Sequence, residues 1–566
     1  MRLFTTNPVF VRVESNGRKW RRGIMARSRE RGSTIDGGRL TSGQNYEIFP
    51  RIRLVSLEKS HLLTLHFSTD IVFIFGKIVS SFPLKIPNME NLFIGRKEET
   101  AILVEALQSY ESELVAVIGR RRVGKTYLID SVYKKNIAFE VTGIQNASKK
   151  DQLENFMLQL AAAYGNVPPL KTPTSWLQAF ALLIAYLKQV KTTEKKVVFL
   201  DELPWLATHK SGFLNGLSYF WNSWAVKQSI VVVICGSAAS WMIQKVVNDK
   251  GGLHNRITKQ IHLYPFTLLE TEEYLKARKI QLDRYQIAQI YMALGGIPHY
   301  LKEVKNGKSA AQNINQICFV KNARLKHEFL RLYPALFANA EKHIAVIRAL
   351  ATKWQGLNRK EISQLSGIAE GGNLSRVLDE LNHSGFISSY RPFGKKKKQK
   401  SYRLTDEYSL FYLKFIEGQE YEGQHIWHHL SQTQLYKIWS GYAFENVCLK
   451  HIPQIKKSLD IAGIYSLSSS FHYKGTAEEK GTQIDLLIDR KDEVINLIEI
   501  KFYNEPYAIS KTYAENLRNK RRIFKSVTKT HKQLSIVMLT TFGLTINEYS
   551  MELIGQELRL DDLFRI

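Results

Sequence analysis

The sequence predicts an α/β protein built from several domains, and three observations carry that prediction. Short Val- and Ile-rich runs alternate with helical segments in the first half of the chain. One of these runs opens directly into a Gly-x-x-x-x-Gly-Lys-Thr loop. Another ends on two adjacent carboxylates, Asp201-Glu202, and acids at strand ends return near the C-terminus at Asp485 and Glu499.

Length and composition set the bounds. A chain of 566 residues has room for three to four domains. With 44% hydrophobic and 23% charged residues it is neither a disordered nor a fibrous chain. Lys+Arg 80 against Asp+Glu 52 leaves +28, which points to a polyanionic partner: nucleic acid, nucleotide or an anionic membrane surface. The cysteines, Cys235, Cys318 and Cys448, are odd in number and far apart. They exclude a disulfide framework and fit a reducing cytoplasm. No run approaches the roughly 18 apolar residues of a spanning helix. The nearest, Ile71 to Ser81, follows Asp70 and contains Lys77. A soluble, cytoplasmic protein without a membrane partner is expected.

Residues 1–88 stand apart. Residues 1–60 hold 13 Lys/Arg against 5 Asp/Glu, and apolar periodicity is poor up to about Leu54. The stretch is compatible with a basic arm that binds nucleic acid, and with a disordered or non-native extension. The second reading is preferred because no packed core is visible; Met89 then stands as a start.

A nucleotide-binding core is expected over 89–266. Leu114 to Ile118 reads as a buried strand running into Gly119-Arg120-Arg121-Arg122-Val123-Gly124-Lys125-Thr126. Gly119 and Gly124 allow the turn that brings backbone N–H groups to phosphates. Lys125 reaches the β- and γ-phosphates, and Thr126 offers a hydroxyl to Mg²⁺. The helix that follows, starting at Tyr127, turns its positive end to the same anion. Val197 to Leu200 forms a second buried strand ending at Asp201 and Glu202. Asp201 is expected to hold Mg²⁺, and Glu202 to orient and deprotonate the attacking water. A third strand, Ile230 to Ile234, leads to Ser237, which is compatible both with a γ-phosphate sensor and with an ordinary strand-to-helix turn. Alternating strands and helices imply a mainly parallel sheet, with ligands beyond the strand C-termini.

At this point the motifs resemble a known family. Phe93-Ile94-Gly95-Arg96-Lys97-Glu98-Glu99, the arginine-rich loop, Phe199-Leu200-Asp201-Glu202-Leu203-Pro204-Trp205 and Gly295-Gly296-Ile297-Pro298-His299-Tyr300-Leu301 are similar to those of the archaeal-type ATPases, in the AAA+/STAND group of P-loop NTPases. The resemblance runs from about residue 89 to the C-terminus. It implies ATP and Mg²⁺ as cofactors and places Gly95 and Arg96 near the adenine. It also gives Pro298, in a helical lid over 267–335, an approach to the nucleotide. An arginine before a Leu-x-Pro-Phe segment is matched by Arg256, ahead of Leu263-Tyr264-Pro265-Phe266, and implies an arginine finger; the usual Gly-Arg pair is Asn255-Arg256 here.

Residues 267–306 read as helical, with Glu272 and Glu273 early and Gly295-Gly296 as a stop. Residues 342–405 read helix, helix, helix, strand, wing, strand, which predicts a winged helix-turn-helix over 336–425. Asn358 with Glu361 makes a capping-box-like start. Leu374, Val377, Leu378 and Leu381 line one face of the third helix. Lys395 to Lys400 lies in the wing, between strands Phe386 to Tyr390 and Ser401 to Leu404. A DNA reader would lay the third helix in the major groove and the wing on phosphates. Asp379 and Glu380 beside Arg376 oppose that, so a structural or protein-contacting module is an equal reading.

The last region, 426–566, predicts an α/β restriction-endonuclease-like domain. Glu445 lies in a helix-like stretch. Asp485 is near the start of an apolar strand, and Glu499-Ile500-Lys501 lies in the next. Acid, then acid-x-Lys, has the shape of the PD-(D/E)xK nuclease signature. Period-2 alternation puts Glu499 and Lys501 on one face with Ile500 in the core. Asp485 and Glu499 are then expected to share Mg²⁺, Lys501 to position hydroxide or offset phosphate charge, and Glu445 to complete the metal shell. A plain salt bridge of Lys501 with Asp485 or Glu499 is also open. The family resemblance adds that such C-terminal domains are frequent among these ATPases. DNA is the expected partner of this half, and a homo-oligomer is allowed.

Overall fold

The computed structural model describes residues 94–165, 172–248, 250–337, 339–395, 399–419, 425–476 and 479–565. The 1–88 extension and wing lysines 396–398 lie outside the described residues.

The chain enters through helix α1 (Lys97–Gln108) and then builds a five-stranded sheet. Its strands are β1 (Glu113–Ile118), β2 (Ile137–Thr142), β3 (Lys196–Asp201), β4 (Ile230–Gly236) and β5 (Lys259–His262). The order is β2-β3-β4-β1-β5, and every pairing is parallel. Parallel strands need crossovers, supplied by α2 (Lys125–Tyr133), α3 (Lys149–Ala163), α4 (Trp176–Gln189) and α5 (Phe213–Ser223). Both faces of this sheet are covered, which is why β1 and β4 read as unbroken apolar runs. Alternate residues part to opposite faces: Leu114, Ala116 and Ile118 pack under the aromatic cluster of Phe156, Trp176, Phe180 and Phe213, while Val115 and Val117 face the other core.

That second core does not stop at the sheet. It continues through α6 (Leu268–Ala277) and α7 (Arg284–Leu294) into the middle of the chain. Gly296 makes the junction possible: a Cβ there would overlap the Phe266 carbonyl, whose own N–H donates to the Gly296 carbonyl at 2.7 Å. The expected stop falls at Gly295, which ends α7 at φ 69, and α6 opens with a further cap not expected from the sequence, Thr267 with Glu270.

Next come α8 (Ala340–Ala351), β6 (Leu357–Asn358), α9 (Arg359–Ser366), α10 (Gly372–His383), β7 (Ile387–Tyr390) and β8 (Ser401–Leu404). The three strands form an antiparallel sheet, β6-β8-β7. Asn358 caps α9 with Glu361, and Leu374, Val377, Leu378 and Leu381 are all buried. Strand β6 is an addition to the expected order. Glu380 differs from expectation: it does not stand free beside Arg376 but accepts from His343 at 2.7 Å.

Helices α11 (Glu407–Phe415) and α12 (Gln434–Lys450) then lead to a second sheet of β9 (Ser466–Gly475), β10 (Lys480–Arg490), β11 (Val494–Lys501), β12 (Gln533–Thr540) and β13 (Ile554–Arg559). Its order is β13-β12-β11-β10-β9, with β9, β10 and β11 antiparallel and β11, β12 and β13 parallel. Helix α13 (Lys511–Thr528) crosses between β11 and β12, burying Ala514, Leu517, Ile523 and Phe524 against one face.

Helices α6 and α12 are joined through a neutral histidine. Wholly buried His451 accepts from the Leu268 N–H at 2.9 Å on Nε2, and its Nδ1 lies 2.7 Å from the Val447 carbonyl. Burial pushes its pKa down to about 4. An unfolded histidine titrates near 6.5, so between those values the unfolded chain holds the extra proton. Stability should therefore fall as pH drops through this window. Chemical denaturation of wild type and His451→Gln should show the wild-type advantage shrinking by about 2 kcal/mol between pH 7 and pH 5. A gap that does not change with pH would remove this account of the residue.

Candidate functional site

The parallel register sets the first site. Ile118 lies opposite Gly236 and Leu200 opposite Ile234, so β1, β3 and β4 end level with one another. The loop 119–124 follows β1, Asp201 and Glu202 close β3, and Ser237 follows β4. Gly124 turns the loop into α2 at φ 93, a conformation that side chains disfavour. The first-turn N–H groups of α2 then face the open side of the loop.

Polar contacts draw this group together. Thr126 Oγ1 donates to Asp201 Oδ2 at 2.8 Å, and Lys125 Nζ donates to the Arg120 carbonyl at 3.2 Å. Glu202 sits in the left-handed region at φ 47 and is held by Ser237, whose N–H and Oγ donate to its Oε2 at 3.1 and 2.8 Å. Strain of that kind on a non-glycine residue is held by its surroundings and clusters at working sites. A hydroxyl beside a buried carboxylate is a hard-oxygen donor set, and it fits Mg²⁺.

The remaining residues expected at the nucleotide divide into two groups. Gly119 and Val123 are buried in the loop, Arg121 is half-buried, and Tyr127 is exposed on α2. Pro298 opens the short helix Pro298–Leu301 and is half-buried. An open cleft of 810 Å³ lies between α1 and α6, walled by Ile94, Gly95, Ala101 and Val104 on one side and Glu273 and Lys276 on the other.

Three arginines do other work. Arg96 is a clamp. Its guanidinium donates to the carbonyls of Val123 and Tyr264 at 3.4 and 2.6 Å, its N–H donates to Glu270 Oε1 at 3.0 Å, and the Phe266 ring lies 4.6 Å away. Burial lowers its pKa against the pull of Glu270 and Glu99. Arg120 turns its side chain away from the loop's mouth to an ion pair with buried Asp406, under the Phe386 ring at 4.3 Å. Arg122 pairs with buried Glu328, which also accepts from the Tyr300 hydroxyl at 2.9 Å. Arg256 is exposed and stands just ahead of β5, whose Lys259 lies beside Val115. That is the N-terminal edge of the sheet, about 20 Å of strand from the loop. The chain does not bring Arg256 to its own phosphate site.

The second constellation gathers around Glu499. A register shift in β10 between Ile484 and Leu487 turns Asp485 toward β11, where its Oδ2 accepts from the Ile500 N–H at 3.2 Å. Glu499 is 2% exposed, and Lys520 Nζ lies 2.8 Å from both its oxygens. The Tyr513 hydroxyl donates to Glu499 at 3.1 Å, and Lys501 Nζ stands 5.1 Å from the Tyr513 ring. Glu445, on α12, is buried and pairs with Arg403 at 2.8 Å. Burial pushes Glu445 up, Arg403 opposes, and Asp485 and Glu499 push it further, so the three carboxylates feel one another. Burial, then Asp485, likewise raises Glu499.

The cation against Glu499 is Lys520, where Lys501 was one expected partner. As arranged, both Glu499 oxygens face an ammonium and Glu445 faces a guanidinium. Lys520 was readable, since Tyr513, Leu517, Lys520 and Phe524 recur on the inner face of α13. Asp406 was half-readable as a helix start before an apolar run, with Ser409 N–H donating to it at 2.9 Å. No local signal marks Glu328.

With this geometry, a phosphate loop on a parallel sheet with two carboxylates beside it, the first half is a P-loop ATPase core. Residues 93–304 match a family described as an ATPase domain predominantly from Archaea, and they are an ATPase domain of that type. An uncharacterized protein of Methanocaldococcus jannaschii is 23% identical over 418 residues, 73% of this chain and 88% of that one. Among solved structures, the Walker-type ATPase of Pyrococcus abyssi is 16% identical, covering 56% of this chain and 95% of that one at a TM-score of 0.41. The ORC1 protein of Aeropyrum pernix in complex with DNA is 14% identical, covering 58% and 94% at 0.30. Cdc6p of Pyrobaculum aerophilum is 14% identical, covering 59% and 96% at 0.30. Among the described residues no helix is long and apolar enough to cross a membrane.

Removing the cation beside Glu499 should leave a buried charge unmatched. Lys520→Met should destabilise the chain by about 3–5 kcal/mol in chemical denaturation, and Lys520→Met with Glu499→Gln should recover most of the loss. Equal losses in the single and double variants would show that the pair carries no such role.

Proposed function

We propose that the protein is a Mg²⁺-dependent ATPase of the AAA+/STAND type whose nucleotide state governs a C-terminal half that handles nucleic acid. The observation that carries the ATPase part is the Thr126–Asp201 contact beside Lys125, with Glu202 held by Ser237. Bound Mg²⁺ would supply charge neutralisation at the β- and γ-phosphates, held by Thr126 and Asp201. Backbone N–H groups of 119–126 cradle the phosphates, and Lys125 leaves the Arg120 carbonyl to meet them. Glu202, fixed on one oxygen by Ser237, keeps its other oxygen to orient the attacking water and take its proton. Gly95 borders the cleft beside α1, which receives the base, and Arg96 holds the loop and lid around it. Arg256 would serve the site of a second copy, which makes a homo-oligomer part of the reading.

In the same reading, 336–425 is a winged helix and 426–566 a restriction-endonuclease-like domain, with the net charge of +28 supporting DNA as partner. Cleavage would require Lys520 to release Glu499, leaving Asp485, Glu499 and Lys501 to act on a phosphodiester. A second reading is favoured by the closed ion pairs at Glu499 and Glu445: a slow nucleotide switch that holds DNA or a protein and does not cut.

Lys125→Ala should lose ATP binding, and Glu202→Gln should bind ATP but turn over at least about a hundredfold more slowly. Wild-type turnover by Glu202→Gln would refute its role as base. The purified chain with ATP, Mg²⁺ and labelled plasmid tests the other half. Asp485→Ala and Lys501→Ala should keep ATPase activity and lose any cleavage; ATP turnover without cleavage of DNA in wild type selects the switch.

A further inference from the structure

One short segment touches both sites. Arg403, at the end of β8, pairs with Glu445 at 2.8 Å; three residues on, Asp406 pairs with Arg120 of the phosphate loop; and the next residue, Glu407, accepts from Lys450 of α12 at 2.8 Å on Oε2. Arg403, Asp406 and Glu407 are 5%, 2% and 3% exposed, and their partners Arg120 and Glu445 are 4% and 5% exposed. We infer that Arg403 to Glu407 is a positioning segment through which occupancy of the phosphate loop is passed to the carboxylate centre around Glu445. This rests on the nucleotide reading given above and names the element that would couple its two halves.

Burial supplies the stiffness. Burial works against the Asp406 carboxylate, yet Arg120 and Ser409 outweigh it and hold it below the usual range, so this pair stays charged. Neither partner can leave alone without stranding a buried charge. Arg120 is therefore fixed at its side chain by Asp406 and at its carbonyl by Lys125. When Lys125 turns to a phosphate, the carbonyl loses a charged donor, and the resulting shift has one rigid outlet. A packed interior transmits such a shift rather than absorbing it. Gly295 lies close enough to the segment that a Cβ added there would come within 3.0 Å of Glu407 Oε2.

A second observation bears on the same segment. Among the described residues the Nε–H groups of Arg120 and Arg403 are both buried with no protein acceptor. Buried donors are normally satisfied, so each guanidinium holds a bond in reserve that a shifted arrangement would make. One of these donors belongs to the segment itself, at Arg403, and the other to the loop residue Arg120 that pairs with Asp406.

Hydrogen–deuterium exchange of the full chain, with and without a non-hydrolysable ATP analogue at saturation, tests this. In wild type, nucleotide should change exchange over 403–415 and 440–450 by roughly fivefold or more, besides protecting 119–127. Asp406→Asn should still protect 119–127 and lose both remote responses. Arg403→Gln should keep the response at 407–415 and lose the one at 440–450, an order that a merely structural role would not produce. Protection confined to 119–127 in wild type, or a full remote response in Asp406→Asn, overturns the inference. If Asp406→Asn fails to fold, the wild-type pattern and Arg403→Gln decide. A fluorescent ATP analogue that does not bind wild type overturns the nucleotide reading itself; binding without a remote response overturns this inference alone.

Discussion

Everything at the first site depends on the parallel register of β1 with its neighbours. Because Ile118 stands opposite Gly236 and Leu200 opposite Ile234, three chain segments leave the sheet at one level. A loop, a pair of carboxylates and a serine then meet from three separate stretches of sequence. The register is held by burial on both faces, since a slip of one residue would exchange Val115 and Val117 with Leu114 and Ala116 across two different cores. The aromatic cluster beneath thus acts on the site through the strands, while α6 also reaches it directly through Glu270, Glu273 and Lys276.

The same continuity explains how the domains are joined. The core on one side of the first sheet runs on through α6 and α7, through α8 and α10, and into α12. Connections between domains are commonly polar and loosely packed. Here apolar packing is supplemented by charges that are buried in pairs: Arg120 with Asp406, Arg122 with Glu328, Arg403 with Glu445. Such pairs add little net stability compared with apolar residues of the same shape, but they are intolerant of misplacement. They specify how the halves meet more than how tightly.

How far the sequence could be read follows from the range of each interaction. The phosphate loop was legible because strand, glycines, lysine and hydroxyl lie close together in sequence, and the cap at Asn358 because it is closed within one turn. Glu499 and Lys501 were legible as members of one centre by their period-2 spacing. Their partners were not. Lys520 meets Glu499 only after α13 has crossed between two strands, and Arg120 meets Asp406 across 286 positions of sequence. In a run of three arginines, composition suggests three phosphate ligands. The fold directs Arg120 and Arg122 to carboxylates further along the chain, and nothing local distinguishes them from Arg121.

That redistribution bears on the meaning of the net charge. A surplus of +28 suggests a surface made for a polyanion, yet several of the most suggestive cations are internal: Arg96 clamps carbonyls, Arg120 and Arg403 hold buried acids, and Lys520, at 16% exposure, is mostly enclosed against Glu499. Each of these cancels a negative charge or a dipole inside the protein and offers little to an external phosphate. Every internal pair removes one charge of each sign from the surface, so the pairs leave the surplus itself untouched. The excess is therefore carried by cations outside these pairs, and not by the most conspicuous motif. Charge count bears on association with polyanions, while charge placement decides which cations remain available for it.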